Sequence, residues 1–518
     1  MNESKLISHN HTDHLSLPDD KMNKLITILK TSSKGRLQYF KDGKVQIKAF
    51  TDLYTDIQGT IRFFQQTGIQ PGDRLGIIGE NSLEWVIIDL ACIAYGLITV
   101  PLDPVSDYDL DEVITTYQLK HVLTSDPKYM SHTTASTFSD IYETPNNSDQ
   151  LAPLNDYGPN DILTFKFTSG STQSPKMLGV QKKSVDAVLS AVQSLFHHNE
   201  QDKILVFLPL HAYQMRYWLY SAILYDFTLL LAPKRHIFYA LSELEPTVVM
   251  GVPHFYETLM KMFLEELENP EQITDQDEKV FQEMTGGAIR YLWTGSAPIH
   301  PQTLQFYFDR GTPLFQGYGM NETCIVSKNY FNANKTGSVG KPLPHIHIEI
   351  SDEGEILVKN QFEVHTSYEL CKPGDNEATF RDNGYVATGD LGYLDEDGYL
   401  YITGRRKELI VLSNSKKIHP NTVEKLMTTS PHITQCIIIG DLQPYIAALI
   451  YPENSSDRQI ISDEISRLNE GLKPEERIIK FELIDEVFSQ ENGQLTSQNK
   501  LKRNAISSAY KSLIETLF

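Results

Sequence analysis

Short runs of β-branched and aliphatic residues, apolar on both faces, alternate along most of the chain with longer stretches of helical period. RLGIIGE (74–80), KILVFLPL (203–210), FTLLLAP (227–233), TVVMGVP (247–253) and YLWTGSAP (291–298) each end in Gly, Pro or a polar residue. Strands apolar on both faces must be covered on both faces. The alternation therefore predicts an α/β fold of helix-covered, largely parallel sheets. Ligands in such folds sit at the carboxyl ends of the strands. WVIIDLACIAYGLITVPL (85–102) has the hydropathy of a membrane span, but Asp89 and Gly96 interrupt it, so it reads as a buried helix leading into a strand. From about Thr403 the pattern becomes shorter and more charged, with QCIIIG (435–440) and IAALIYP (446–452), which predicts a smaller α+β unit. DEDGY (395–399) lacks EF-hand spacing and reads as an Asp-Gly hairpin turn between two strands.

The length, 518 residues, exceeds what one hydrophobic core usually organises, so at least two domains are expected. A net charge of −21 argues against a nucleic-acid partner, because neutralisation of phosphates by Lys and Arg dominates that affinity. Local anion pockets are unaffected by this balance. Cys92, Cys324, Cys371 and Cys436 show no CxxC spacing, which suggests neither a disulfide framework nor a zinc site. Residues 1–20 are polar, lack the apolar core of a signal peptide and read as disordered, with a cytoplasmic location as the expectation. No transmembrane segment is expected, and peripheral membrane contact stays open.

The candidate chemistry begins at TSGSTQSPK (168–176), which follows the apolar run ILTFKF (162–167). A strand followed by small hydroxyl residues, Gly and Lys can cradle a phosphate: N–H and hydroxyl donors approach the anion, and a cation stands at its edge. The GxxxxGK[ST] spacing is absent, so this is not a Walker A loop, and alone it reads equally as a polar turn.

Four further segments, in chain order, place that loop. LPLHAYQ (208–214), QGYGMNET (316–323), TGDLGYLDEDGYLYITGRRKELIVLSNSKKIHP (388–420) and NGQLTSQNKLKR (492–503) together resemble the motifs of the adenylate-forming superfamily of acyl-CoA synthetases, adenylation domains and luciferases. The resemblance runs from about Phe50 to Arg503. It implies a large N-terminal adenylation domain (21–406) and a small, mobile α+β C-terminal domain (407–518), with a hinge near Lys407.

The resemblance also implies roles. Thr168, Ser169, Gly170, Ser171, Thr172 and Lys176 would hold the ATP phosphates, and Glu322 would ligate Mg2+. Tyr318 and Gly319, with Asn321 and the backbone of Gly295, Ser296 and Ala297, would surround adenine. Asp390 would accept from the ribose hydroxyls, and Arg405 would reach the ribose or phosphate side. His211 would stand at the acyl carboxyl group, and Lys500 would bridge it to the α-phosphate. Ser413, Asn414, Ser415, Lys416 and Lys417 would line the tunnel for the thiol of CoA, or of a carrier protein's phosphopantetheine. Read singly, Asp390 and Arg405 are ordinary turn and surface charges, Tyr318 and His211 ordinary core residues, and Lys500 part of a basic surface helix.

The chain departs from the family pattern at Gln173 and Met177, where Gly is usual, at Asn321, usually Thr, and at Ser415, often Gly. The segments LTSQNKLKR and IVLSNSKKIHP resemble the long-chain branch, so a medium- or long-chain fatty acid is the expected substrate. YQMRYWLYSAILY (213–225) and GVPHFYETLM (251–260) are candidate pocket walls, although core is the commoner role for such residues. An acyl-carrier-protein ligase, a luciferase-like oxidase and a non-catalytic binder are the alternatives.

Overall fold

The apolar runs form the strands of two sheets that share one core. A computed structural model describes residues 19–143, 153–168, 176–269, 272–453, 457–495 and 501–518. The expectation of disorder over 1–20 thus falls almost wholly outside the described residues. In the nine-stranded sheet, Arg36–Lys41, Thr228–Leu231, Lys203–Val206, Val248–Gly251, Tyr291–Thr294 and Leu314–Met320 lie side by side and parallel, and antiparallel strands close both edges. The six-stranded sheet pairs Leu119–Thr124, Arg74–Ile78, Ile98–Leu102 and Ile162–Thr168 in parallel, with Lys176–Gln181 antiparallel at its edge.

Helices fill the space between these sheets, and the largest core includes Leu83–Tyr95, Lys182–Phe196 and Gln214–Leu224. Local chemistry sets the first of them. The Ser82 side chain accepts from Trp85 N–H at its start, and Gly96, at φ +88°, ends it before strand Ile98–Leu102. The 85–102 segment is therefore helix and strand, and no helix among the described residues is long and apolar enough to cross a membrane.

A four-stranded antiparallel sheet, Ile346–Ile350 to Leu400–Arg405, follows, and DEDGY turns between its last two strands. The C-terminal unit has its own core around Ile433–Ile439, Ile446–Pro452 and Ile478–Leu483, packed with helices Pro420–Met427 and Arg458–Asn469. The fold is thus a large α/β domain followed by a small α+β one.

One polar cluster crosses the large core. Arg216 and Asp89 have side chains only 1% exposed, and the Arg216 guanidinium donates to Asp89 Oδ1 at 2.9 Å, Thr99 Oγ1 at 3.1 Å and Thr164 Oγ1 at 2.9 Å. Tyr220 Oη donates to Asp89 Oδ2 at 2.8 Å. Losing one partner leaves the other's charge buried and uncompensated, which costs about 3–5 kcal/mol, whereas an apolar set of similar volume is often neutral. Arg216→Met should therefore lower the urea unfolding free energy by about 3 kcal/mol or more, and Arg216→Met/Asp89→Leu/Tyr220→Phe should regain most of it. A single-variant loss below about 1 kcal/mol would make the pair a bystander.

Candidate active site

Strand Arg74–Ile78 of the six-stranded sheet and strand Lys203–Val206 of the nine-stranded sheet meet at their carboxyl ends. The Asn81 side chain, just past strand Arg74–Ile78, donates to Leu208 O at 2.9 Å and accepts from Leu210 N–H at 2.8 Å. It joins the six-stranded sheet to the segment carrying His211. That histidine is half-buried, and burial lowers its pKa, with Asp103 opposing and Arg216 and Lys234 reinforcing the shift, so the ring is neutral near pH 7.

Strand Ile162–Thr168 leads into the candidate phosphate loop, and Thr168 pairs with Lys176 where the chain returns. Ser169, Gly170, Ser171, Thr172 and Gln173 lie outside the described residues, as does Lys500. Lys176 Nζ stands 3.0 Å from Asp375 Oδ1 and 4.8 Å from the Tyr368 ring centroid. Tyr368 Oη in turn donates to Glu322 Oε1 at 2.5 Å. Met177 exchanges backbone hydrogen bonds with the 369–370 segment, which fixes the returning strand beside Tyr368. Glu322 is buried. Lys166 is buried too; desolvation lowers its pKa, with the nearby Glu322 opposing. Tyr368 and Asp375 belong to no motif singled out above, and Lys166 lies in the run ILTFKF, where it was given no role. Tyr368 meets Glu322 across 46 residues of sequence, and no local pattern announces that contact.

The nucleotide candidates gather around a second carboxylate. Asp390 is buried at the centre of strand Val386–Leu394, where Tyr318 Oη donates to its Oδ2 at 2.6 Å and Arg405 Nε to its Oδ1 at 2.9 Å. Asp390 and Arg405 are direct cross-strand partners. Both Asp390 oxygens thus have partners, and each keeps a lone pair for a further donor. The Tyr318 pKa is raised by burial and by Asp390, so the phenol stays a donor.

Gly295, Ser296, Tyr318 and Gly319 line a cavity that opens to solvent, with about 560 Å³ of empty space including its mouth. A Cβ on Gly319 would come within 2.2 Å of Cys324 O, so only glycine permits this hairpin. Ser296 adopts φ +70°, a left-handed position a non-glycine residue rarely takes. The rest of the lining is largely apolar, including Val188, Met250, Trp293 and, from helix Gln214–Leu224, Tyr217 and Trp218. The 213–225 segment therefore splits: Tyr217 and Trp218 face the cavity, and Arg216 and Tyr220 face the buried ion pair. From 251–260, Phe255, Tyr256 and Leu259 pack in a separate core on the sheet's other face.

Asn321 spends its amide on Phe167 O, 3.0 Å away, tying the 316–323 motif to the strand before the phosphate loop. Ala297 and His211 are not part of the cavity wall. Ser413, Asn414, Ser415, Lys416 and Lys417 form an exposed turn between the short strands Ile410–Val411 and Lys417–Ile418. Ser415 has φ +66° there, which accounts physically for Gly being common at this position. Lys407 is exposed in the 3-10 turn Arg406–Glu408 that follows Arg405, near enough to Asp375 to favour its ionised form.

Comparison with known proteins bears on this geometry. The chain is 28% identical to the long-chain-fatty-acid–CoA ligase FadD15 of Mycobacterium tuberculosis, over 87% of this chain and 89% of that one. It is 26% identical to the 2-succinylbenzoate–CoA ligase of Bacillus subtilis, over 90% and 94%. The solved O-succinylbenzoate coenzyme A synthetase (MenE) from Bacillus subtilis, in complex with ATP and magnesium ion, superposes with a TM-score of 0.75 at 23% identity, covering 93% of this chain and 98% of that one, and so shares the fold. The AMP-binding enzyme C-terminal domain matches residues 407–518. Since the AMP-binding enzyme profile itself matches residues 33–364, more than half of its length, the chain belongs to the AMP-binding, adenylate-forming enzyme family.

Proposed function

We propose that this acid–thiol ligase activates a medium- or long-chain carboxylic acid with ATP and transfers the acyl group to CoA. The observation carrying this reading is the apolar cavity, whose polar end is the Gly295–Ser296 and Tyr318–Gly319 backbone beside Asp390. An acyl chain would lie against Trp218, Trp293 and Met250, with its carboxylate towards the nucleotide.

In the first half-reaction a carboxylate oxygen forms a bond to the α-phosphorus and pyrophosphate leaves; in the second a thiolate attacks the acyl carbon and AMP leaves. Both need anions brought together and neutralised. Tyr318, held by Asp390, would present its ring to adenine, and Asp390 would use its spare lone pairs for ribose. Lys176 would turn from Asp375 to the phosphates. Neutral His211 can approach the acid without adding charge.

Glu322 fits a magnesium site. It is a buried carboxylate with one oxygen fixed by Tyr368, and among the described residues no three acidic, His or Cys side chains converge on a point. That donor set suits an ion carried in on triphosphate oxygens, the usual mode for magnesium, which would neutralise charge on the departing pyrophosphate. The superposable Bacillus subtilis synthetase was solved with ATP and magnesium, which supports these cofactors.

A second reading is a ring-bearing acid, favoured by Tyr217, Trp218 and Trp293 around the cavity and by the 2-succinylbenzoate ligase relative. The deciding experiment incubates the enzyme and ATP with fatty acids of graded length and with aromatic acids, each with CoA or with a phosphopantetheinylated carrier protein. Thioester formation with CoA and fatty acids upholds the proposal. Preference for aromatic acids or for the carrier protein replaces it, and no acid-dependent pyrophosphate release leaves a non-catalytic binder. Trp218→Ala, which enlarges the cavity, should move the preferred acid to a longer or bulkier one, read as a shift in relative kcat/KM across the panel.

Glu322→Gln should cut acid-dependent exchange of labelled pyrophosphate into ATP roughly a hundredfold or more, with the melting temperature unchanged. Unaltered exchange at limiting magnesium would remove Glu322 from the metal site.

The small domain is proposed to serve both half-reactions by pivoting at Lys407, presenting Lys500 first and the 413–417 turn second. Lys500→Ala should then lose adenylation yet still make thioester from supplied acyl-adenylate. Lys407→Pro, which locks φ at the pivot, should keep adenylation and lose thioester formation. Equal loss of both half-reactions in both folded variants would rule out alternation.

A further inference from the structure

Two segments far apart in sequence meet on one rim of the large domain. The hairpin of Arg36–Lys41 and Lys44–Ala49 forms one edge of the nine-stranded sheet, and its first strand runs parallel to Thr228–Leu231. The 3-10 turn Lys234–His236 and helix Ile237–Leu244 follow that strand directly. Phe40 stacks on His236 with ring centroids 4.7 Å apart and meets Tyr239 edge-on at 5.9 Å, so hairpin and helix form one surface.

Large apolar groups stand out of it: Ile47 is 63% exposed, Tyr239 51% and Phe238 44%. The register pairs Ile47 with Gln38, which puts Ile47 on the same face of the sheet as Phe40. Exposed apolar groups gathered in one patch call for an explanation in a way that scattered ones do not.

The same surface is cationic in a chain of net charge −21. Lys41 and Lys44 are direct cross-strand partners at the hairpin tip, with Asp42 in the turn between them, and Lys234 and Arg235 are exposed beside the helix. Like charges placed opposite each other on a ladder cost stability. Neighbouring Lys34 and Lys48 pair with Glu200 and Asp56, whereas none of these four cations has an ion-pair partner among the described residues. Lys234 is also close enough to His211 for its charge to act on the ring, so the patch borders the rim where the 208–214 segment stands.

We propose that this hairpin–helix patch docks the enzyme on an anionic bilayer surface. Aromatic and aliphatic side chains enter the headgroup region while Lys and Arg meet lipid phosphates, each contact reinforcing the other. The exposed apolar groups, Ile47 on the hairpin and Phe238 and Tyr239 on the helix, sit beside two clusters of cations and do not form the continuous stripe that a partner helix would need, which favours a lipid surface over an acidic protein. This inference concerns the surface alone and stands apart from the reading of the acid substrate.

The test is sedimentation of the full-length protein with vesicles of phosphatidylcholine alone and of phosphatidylcholine with phosphatidylglycerol. The wild type should bind the anionic vesicles and release them at high salt. Lys41→Glu/Lys44→Glu should lower the partition coefficient about tenfold or more. Phe238→Ser/Tyr239→Ser should lower it as well while leaving its salt dependence in place. Both variants should keep the wild-type melting temperature and acid-dependent pyrophosphate exchange in solution. No vesicle binding, equal binding to neutral and anionic vesicles, or unchanged binding by Lys41→Glu/Lys44→Glu would overturn the proposal. So would binding of a purified acidic carrier protein that this charge reversal abolishes, if vesicles are not bound, because the patch would then be a protein-docking surface.

Discussion

The large domain is organised around a charge that water cannot reach. Arg216 lies between the two sheets, 4.4 Å from the Tyr213 ring centroid and 5.6 Å from that of Trp85, with its guanidinium spread over Asp89, Thr99 and Thr164. These partners come from helix Leu83–Tyr95, strand Ile98–Leu102 and strand Ile162–Thr168. A purely apolar contact would let helix Gln214–Leu224 slide or rotate by small amounts at little cost. A buried fork of hydrogen bonds does not, because each lost partner leaves charge or a polar group without water. The same helix turns Tyr217 and Trp218 towards the cavity, and strand Ile162–Thr168 pairs at its end with Lys176, where the chain returns from the candidate phosphate loop. One guanidinium thus sets the cavity wall relative to strand Ile162–Thr168.

Two hydroxyl-to-carboxylate contacts repeat this logic at the site itself. Tyr318 donates to Asp390 and Tyr368 to Glu322, each joining residues dozens of positions apart. A buried carboxylate needs donors, and a tyrosine supplies one while adding a rigid ring. The ring of Tyr318 borders the cavity, and that of Tyr368 carries the ammonium of Lys176. Both carboxylates are therefore oriented by the fold itself, which lowers the ordering cost of any ligand that uses them.

Much of this was legible in the sequence. Runs apolar on both faces implied parallel sheets because an uncovered strand of that composition is unstable in water, and the 85–102 segment divided into helix and strand where Gly96 ends the helix. The ordered motifs, through their resemblance to the family, implied one candidate site for Tyr318, Glu322, Asp390 and Arg405, and Tyr318 and Arg405 do meet at Asp390. Ser415 is a similar case: its left-handed φ is a property of one tight turn, and the family's preference for Gly there reflects it.

What remained hidden depends on contacts between distant segments. The apolar helix around Tyr217 could be assigned to core or cavity only once its neighbours were known, because either environment selects the same residue types. Tyr368 and Asp375 gave no sign, since neither their spacing nor their flanks differ from those of an ordinary loop. The resemblance implied a nucleotide contact for Asn321, and nothing in its motif announced that its side-chain N–H donates to the carbonyl of Phe167. The cationic, aromatic rim was equally invisible, because Phe40 meets His236 only through the parallel pairing of strand Arg36–Lys41 with Thr228–Leu231, the strand that the His236 turn follows. The sequence by itself determined which segments are strands, helices and tight turns, because backbone propensity and apolar period act over a few residues. Only the tertiary structure decided which side chains share a buried charge, line the cavity or meet on the rim, because those outcomes depend on strand order and on the desolvation of groups that the chain keeps far apart.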